Sequence, residues 1–231
     1  MKNWLVIPLG LMAMFLMMGC GGGKVLDHVE LDAFKEGKPQ GRMIMELAEH
    51  TFDDGTKGML LTTEVKMSIG SRNRVHSISK VIMKEDYSFY SMEKVATQND
   101  TKTEIEMMRT GDIVTVVKSV TGREDKTEKA PVKGKFVGDL HHTMYAKDMT
   151  KKGTENTYNI FFEPMRQVVA LRVRYLEDVS LSEGGETIEC KRFGVQSMAK
   201  PGKFDDYYVS QKGHHLVRVN LGEITLKPKA K

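Results

Sequence analysis

The chain has 231 residues, of which 40% are hydrophobic and 29% are charged, and its formal net charge is +4. This balance excludes an intrinsically disordered polyelectrolyte, because such chains contain a smaller fraction of apolar residues. It also excludes a protein with many membrane-spanning helices, because such proteins contain a larger fraction of apolar residues. Two cysteines are too few for a fold that depends on several disulfides.

The first twenty residues differ in composition from the rest of the chain. Lys2 supplies a positive charge, and residues 4–18 then contain no charged side chain. A membrane-spanning helix needs about 20 apolar residues, so this shorter run is typical of the apolar region of a secretory signal peptide. Gly19 and Cys20 follow it, and three glycines come next.

A small residue directly before a cysteine, at the end of such an apolar run, resembles the lipobox of bacterial lipoproteins. The resemblance implies that the signal peptide is cleaved after Gly19 and that Cys20 carries the attached lipid, with acyl chains such as palmitate. Met17 stands where the family usually has leucine, which departs from the pattern but keeps an apolar side chain. An ordinary signal peptide, or an uncleaved anchor with a chance cysteine, is the alternative.

This resemblance also implies a location. We expect an exported protein that is lipid-anchored to the cell envelope. In a Gram-negative cell the anchor would lie in the outer membrane facing the periplasm, and in a Gram-positive cell on the outer face of the cytoplasmic membrane. The glycines after Cys20 form a flexible tether.

Alternation of apolar and polar residues is the dominant pattern of the remaining chain. In the clearest case Met59, Leu61, Thr63, Val65 and Met67 alternate with more polar neighbours, which predicts a half-buried strand. Similar patterns, separated by turn residues, predict strands at 43–47, 59–69, 75–84, 87–96, 103–108, 113–120, 158–162, 169–175, 187–195, 204–209, 216–221 and 224–226.

Two segments depart from this rhythm. Residues 123–135 are highly charged and contain Pro131, which indicates a loop or a weak edge strand. Residues 139–152 are predicted to form a helix, because Asp139 can cap it, Leu140 and Met144 are four residues apart, and Gly153 follows its basic end.

The expected fold class is therefore mainly β: an antiparallel meander forming a strongly curved sheet or incomplete barrel, with one short helix at about 139–152. The expected organisation is a signal peptide (1–19), a lipidated N-terminus and tether (20–41), a single β-rich domain (42–226) and a basic tail (227–231). The strand rhythm of 42–226 weakly resembles uncharacterised periplasmic β-domains similar to the lipoprotein-carrier class. That resemblance implies an apolar cavity inside the curved sheet.

Candidate catalytic and metal-binding residues are few. The chain has no nucleotide-binding loop, no serine-hydrolase elbow and no zinc-protease motif. Cys190 shares a strand face with Ile188, which indicates a small buried side chain rather than a nucleophile. Adjacent histidines on a strand or helix point apart, so the pairs 141–142 and 214–215 are interpreted as solvent-facing turn residues, although one histidine of each pair could meet in space.

The methionines raise one further alternative. Most of the 17 methionines follow residue 20, and clustered thioethers can bind Cu(I). Here they fall mainly at core spacing within strands, which favours core filling or the lining of an adaptable apolar cavity. We expect no metal and no other cofactor.

These patterns lead to one functional hypothesis and two alternatives. The hypothesis is a non-enzymatic envelope lipoprotein that binds a lipid or acyl chain in its curved sheet. The alternatives are a structural or protein-interaction module of an envelope complex and an enzyme of unrecognised type. The expected partners are the membrane, an apolar ligand and an envelope protein, with no nucleic acid. The residues expected to line the cavity are Met59, Leu61, Val65, Met67, Val169 and Leu171.

Overall fold

The computed structural model describes residues 23–69, 73–183, 185–198, 202 and 204–228. Within these residues the chain forms one antiparallel sheet of fourteen strands. The strands are β1 (Val25–Lys35), β2 (Lys38–Thr51), β3 (Lys57–Ile69), β4 (Asn73–Lys84), β5 (Phe89–Gln98), β6 (Thr101–Thr110), β7 (Ile113–Val120), β8 (Lys126–Pro131), β9 (Glu155–Phe162), β10 (Gln167–Glu183), β11 (Glu186–Ser197), β12 (Asp205–Ser210), β13 (Leu216–Leu221) and β14 (Ile224–Lys227).

The sheet consists of two meanders, and the first strand of one, β1, pairs with the last strand of the other, β14. Strands β1 to β8 run outward in sequence order to one edge, and β14 back to β9 run to the other edge. Four residue pairs, from Asp32 with Lys227 to Lys35 with Ile224, join β1 to β14. Because the edge strands β8 and β9 do not pair with each other, the sheet curves without closing. This confirms the predicted mainly β, antiparallel architecture.

Strand β1 lies inside residues 20–41, which the sequence predicts to be a lipidated N-terminus and tether. Its buried residues are Asp27, Val29, Leu31 and Ala33, and the positions between them are exposed or half-buried. Three of these four inward residues are apolar, and Asp27 interrupts the apolar face at its beginning. The described sheet therefore starts at Val25 rather than at residue 42, and Lys227 of the expected tail belongs to β14.

The segment between β8 and β9 also differs from expectation. Part of the charged stretch forms the edge strand β8, which matches the edge-strand alternative for 123–135. Helix α1 spans only Thr143–Ala146, and the predicted helix 139–152 is wrong in length. The Asp139 carboxylate accepts a bond from the amide of Leu140 next to it instead of capping a helix.

Residues 132–149, the crossing segment, run across the concave side of the sheet. The amide of Phe89 donates to the Phe136 carbonyl, and the amide of Val137 donates to the Asn159 carbonyl. Val137 thus bridges Ser88 beside β5 and Ile160 in β9. The segment is held by strands from both halves, which explains why it forms one helical turn instead of a long helix.

The core divides into two clusters, and the crossing segment contributes to both. The first core cluster joins β1 and the strands β10 to β14 to the crossing segment, through the fully buried Tyr145, Ala146 and Met149. The second core cluster joins β2 to β8 to Phe136 and Phe161. The crossing segment therefore connects two apolar layers inside the curved sheet.

Candidate functional site

The six residues predicted to line a cavity fall into two groups. Met59 and Leu61 are buried in the second core cluster, and Val169 is also buried. Their role as lining of a cavity stays a prediction. Val65, Met67 and Leu171 remain half-buried.

Val65 and Met67 lie with two further methionines on β2 and β3. Met43 pairs with Val65, and Met45 pairs with Thr63 in the same ladder. Met45 and Met43 also stand opposite the buried Val29 and Leu31 of β1, so they share its inward face. We call Met43, Met45, Val65 and Met67 the methionine patch.

The methionine patch is apolar and partly accessible. Its three methionines pack against the first core cluster, and all four side chains are half-buried. Methionine has three rotatable bonds and a polarisable sulfur, so such a surface adapts to apolar groups of different shape. Leu140 and Tyr158 border the same cluster and are also half-buried.

A cluster of buried polar side chains joins β1 to the crossing segment. Asp27, His141 and His142 are all buried, with at most 6% of each residue exposed. The Asp27 Oδ2 atom lies 3.1 Å from His142 Nε2 and 3.5 Å from His141 Nε2. Its Oδ1 atom lies 3.0 Å from His215 Nδ1, whose side chain is 63% exposed.

His141 and His142 are buried, so their interpretation as solvent-facing turn residues is wrong. Both precede α1 in the crossing segment, and their ring centroids are 4.2 Å apart with the planes tilted by 35°. The rings do not diverge, because these residues lie before the helical turn, inside the sheet. Of the second pair, His215 is exposed as expected and His214 is half-buried.

One sequence signal could have located this cluster. Asp27 occupies an inward position of β1, two residues before Val29 in the same alternation. A carboxylate at a core-facing position is costly to bury without a partner. The unusual position of Asp27, combined with two adjacent histidines elsewhere in the chain, therefore indicates a buried polar site.

The electrostatics of the cluster favour a charged carboxylate and a neutral imidazole. Burial alone would raise the pKa of Asp27, but the neighbouring His142, His215 and His141 outweigh it and hold that pKa at about 2. Burial, with a smaller effect from His142, lowers the pKa of His141 to about 3. Near neutral pH, Asp27 is ionised and His141 is uncharged.

Cys190 behaves as the sequence predicts. It is a free, fully buried cysteine on β11. Burial, with a smaller effect from Glu189, raises the pKa of its thiol to about 11. The thiol therefore stays protonated near neutral pH and does not supply a reactive thiolate.

A cleft of about 1080 Å³ lies on the opposite side of the sheet. Ile82 helps to line it and lies between the inward Val81 and Met83. The ring centroids of Phe52 and Tyr90, which also line the cleft, are 4.9 Å apart. The cleft is thus separate from the methionine patch, and no sequence pattern indicated it.

The predicted lipid-attachment residues, Gly19 and Cys20, lie outside the described residues, which begin at Gly23. Across the part of the chain that the structure describes, no helix has both the length and the apolar character needed to span a membrane.

Comparisons with known proteins support the fold. No family model matches the chain, and no curated protein matches it. A solved structure, a β-barrel-like protein of domain of unknown function DUF1849 from Brucella abortus, matches with a TM-score of 0.52 and 10% sequence identity. The match covers 88% of this chain and 94% of that one. It confirms a β-barrel-like architecture shared with an uncharacterised domain.

Proposed function

We propose that this protein is an exported, membrane-anchored envelope lipoprotein that binds a lipid or acyl chain without chemically altering it. The observation that supports the proposal is the methionine patch, an apolar surface on the inner face of the curved sheet that stays partly accessible. The second core cluster is buried, so we expect the ligand to lie where the patch borders the first core cluster.

The proposed anchor would give the patch access to membrane lipids. Gly23 lies three positions after Cys20, and an extended chain spans at most about 3.6 Å per residue. A lipid on Cys20 would therefore hold Gly23, the first described residue and two positions before β1, within about 11 Å of its attachment point. The protein would then exchange apolar molecules with the bilayer over a short distance.

A fluorescent fatty-acid probe tests this proposal with a matched pair of variants. The full chain, purified and freed of detergent, is titrated with the probe beside Met67→Glu and Ile78→Glu. Met67 belongs to the patch, whereas Ile78 is exposed on β4 and stands opposite Glu64. We expect Met67→Glu to weaken probe binding about tenfold because a buried charge opposes apolar contact, and Ile78→Glu to leave it unchanged.

Equal binding by all three proteins, or no saturable binding by the wild type, would contradict the proposal. Either result would favour the alternative function, an interaction module of an envelope complex. The aromatic cleft on the outer side of the sheet supports that alternative, because it exposes Tyr90 and Met108 beside Phe52.

A further inference from the structure

The Asp27, His141 and His142 cluster has more unpaired polar atoms than a buried structural group normally shows. Asp27 Oδ2, His141 Nε2 and both ring nitrogens of His142 have no aligned hydrogen-bond partner among the described residues. Buried polar atoms are nearly always paired in folded proteins. One of these atoms from each residue converges on a single point, which indicates a missing partner common to the three.

We propose that Asp27, His141 and His142 form a binding site for a divalent transition-metal ion of the Zn²⁺ class. Their three donor atoms lie within 4.8 Å of one another. In a tetrahedral zinc site with bonds of about 2.0–2.1 Å, neighbouring donor atoms are about 3.3–3.4 Å apart. The observed distances from Asp27 Oδ2 to the two imidazole nitrogens, 3.1 and 3.5 Å, bracket that spacing.

The donor types select the class of metal. Two imidazole nitrogens and one carboxylate oxygen suit Zn²⁺ and neighbouring transition metals, whereas Ca²⁺ and Mg²⁺ prefer oxygen donors. The single carboxylate offsets half of the charge of a divalent ion. Three protein donors leave a fourth tetrahedral position for water or an additional ligand.

A hydrogen-bonded cluster without metal explains the geometry less well. The Nε2 atoms of His141 and His142 both approach the same oxygen, Asp27 Oδ2, and neither is aligned for a hydrogen bond. One bound cation would satisfy this oxygen and both nitrogens together.

Surrounding residues hold two of the three donors, His141 and Asp27, as outer-shell groups do in metal sites. The His141 Nδ1 atom lies 2.8 Å from the Thr143 hydroxyl, which directs Nε2 towards Asp27. His215 contacts the other oxygen of Asp27, and its backbone amide donates to the Ser210 hydroxyl. Such contacts fix the orientation of ligating side chains and commonly change metal affinity by 10–100-fold.

The metal would link parts of the fold that are distant in sequence. Asp27 belongs to β1, and the two histidines belong to the crossing segment, so a bound ion would fasten this segment to the sheet. Because the site forms only in the folded chain, the metal would stabilise the folded state. This inference concerns a different group of residues from the methionine patch and does not depend on lipid binding.

Cobalt and zinc titrations of the full chain test the proposal. The protein is purified without metal-affinity chromatography, treated with EDTA and titrated with Co²⁺, whose tetrahedral complexes absorb visible light. Zinc affinity is then measured by competition with a chromophoric chelator. We expect one equivalent of metal, a visible cobalt spectrum that zinc abolishes, and a higher melting temperature with zinc.

Variants assign the donors, with a matched control. Asp27→Asn and His142→Asn should weaken zinc binding about 100-fold or more. His76→Asn serves as control, because His76 also contacts a carboxylate, Glu64 at 2.9 Å, but on an exposed face. His76→Asn should bind zinc like the wild type.

Two results would overturn the proposal. The first is a wild-type protein that does not bind one equivalent of zinc. This result can be interpreted without any variant. The other is wild-type affinity in an Asp27→Asn or His142→Asn protein whose circular dichroism shows a native fold. If one of these variants does not fold, His141→Asn is titrated in its place, with the same expected loss.

Discussion

At the scale of single residues, Asp27 shows both what alternation predicts and where it fails. Its inward position on β1 follows from the buried Val29 and Leu31 in the same strand. The identity of its partners does not follow, because His141 and His142 are more than a hundred positions away and reach it only through the path of the crossing segment. Long-range packing, rather than local propensity, assembles the candidate metal site.

Cys190 provides a prediction at the same scale. With a pKa of about 11 in the folded protein and about 9 in the unfolded chain, its thiolate fraction at pH 8 is about 100-fold lower in the folded state. We expect iodoacetamide to leave Cys190 unmodified in the native protein and to modify it in guanidinium chloride. Mass spectrometry of the peptide that contains Cys190 measures this. Rapid native modification would show that the thiol is accessible.

At the scale of elements, the alternation of apolar and polar residues predicts most of the strands. For two strands the predicted bounds equal the observed ones. Residues 113–120 and 216–221 form β7 and β13 with the predicted bounds. The helix prediction was too long because it considered only local spacing and capping residues. The segment instead crosses the sheet, where its hydrogen bonds to Phe89 and Asn159 determine its conformation.

Gly138 makes this crossing possible, which gives an element-scale prediction. A Cβ atom at this position would lie 2.4 Å from Val81 Cγ1 and 3.0 Å from Met83 Cγ. Gly138→Ala should therefore lower the free energy of unfolding by about 1–3 kcal/mol, through overpacking. Urea denaturation of the variant and wild type measures the difference.

A double-mutant cycle identifies the cause of that loss. Val81→Ala removes the Cγ1 atom that the new methyl group would meet. Gly138→Ala should consequently cost about 1 kcal/mol less in the Val81→Ala background than in the wild type. Strictly additive effects would indicate that the glycine matters for another reason, such as its backbone conformation.

At the scale of the whole molecule, the sequence predicts the class of fold but not which strands join the two halves of the sheet. The rhythm of strands and turns indicates a meander, and the structure confirms a curved, unclosed sheet. The pairing of β1 with β14 joins residues from the two ends of the described chain. Neither strand shows a local pattern that specifies its partner, so only the tertiary structure reveals this junction.

Membrane attachment is a prediction for the whole molecule. Cys20→Ser removes the thiol that the lipobox resemblance identifies as the acylation site. We expect the variant to leave the membrane fraction, or to accumulate with an uncleaved signal peptide, because the lipid anchor cannot form. Fractionation and electrophoretic mobility measure both effects. A variant that fractionates and migrates like the wild type would contradict lipid anchoring.

The central claim is that the concave face holds a lipid, and native mass spectrometry tests it most directly. The full chain is extracted gently from envelope membranes, measured intact, and then extracted with organic solvent. We expect a stoichiometric, non-covalent adduct that passes into the solvent as lipid, beyond any acyl chains attached to the protein. A mass equal to that of the processed chain, with or without one metal ion, would contradict lipid binding.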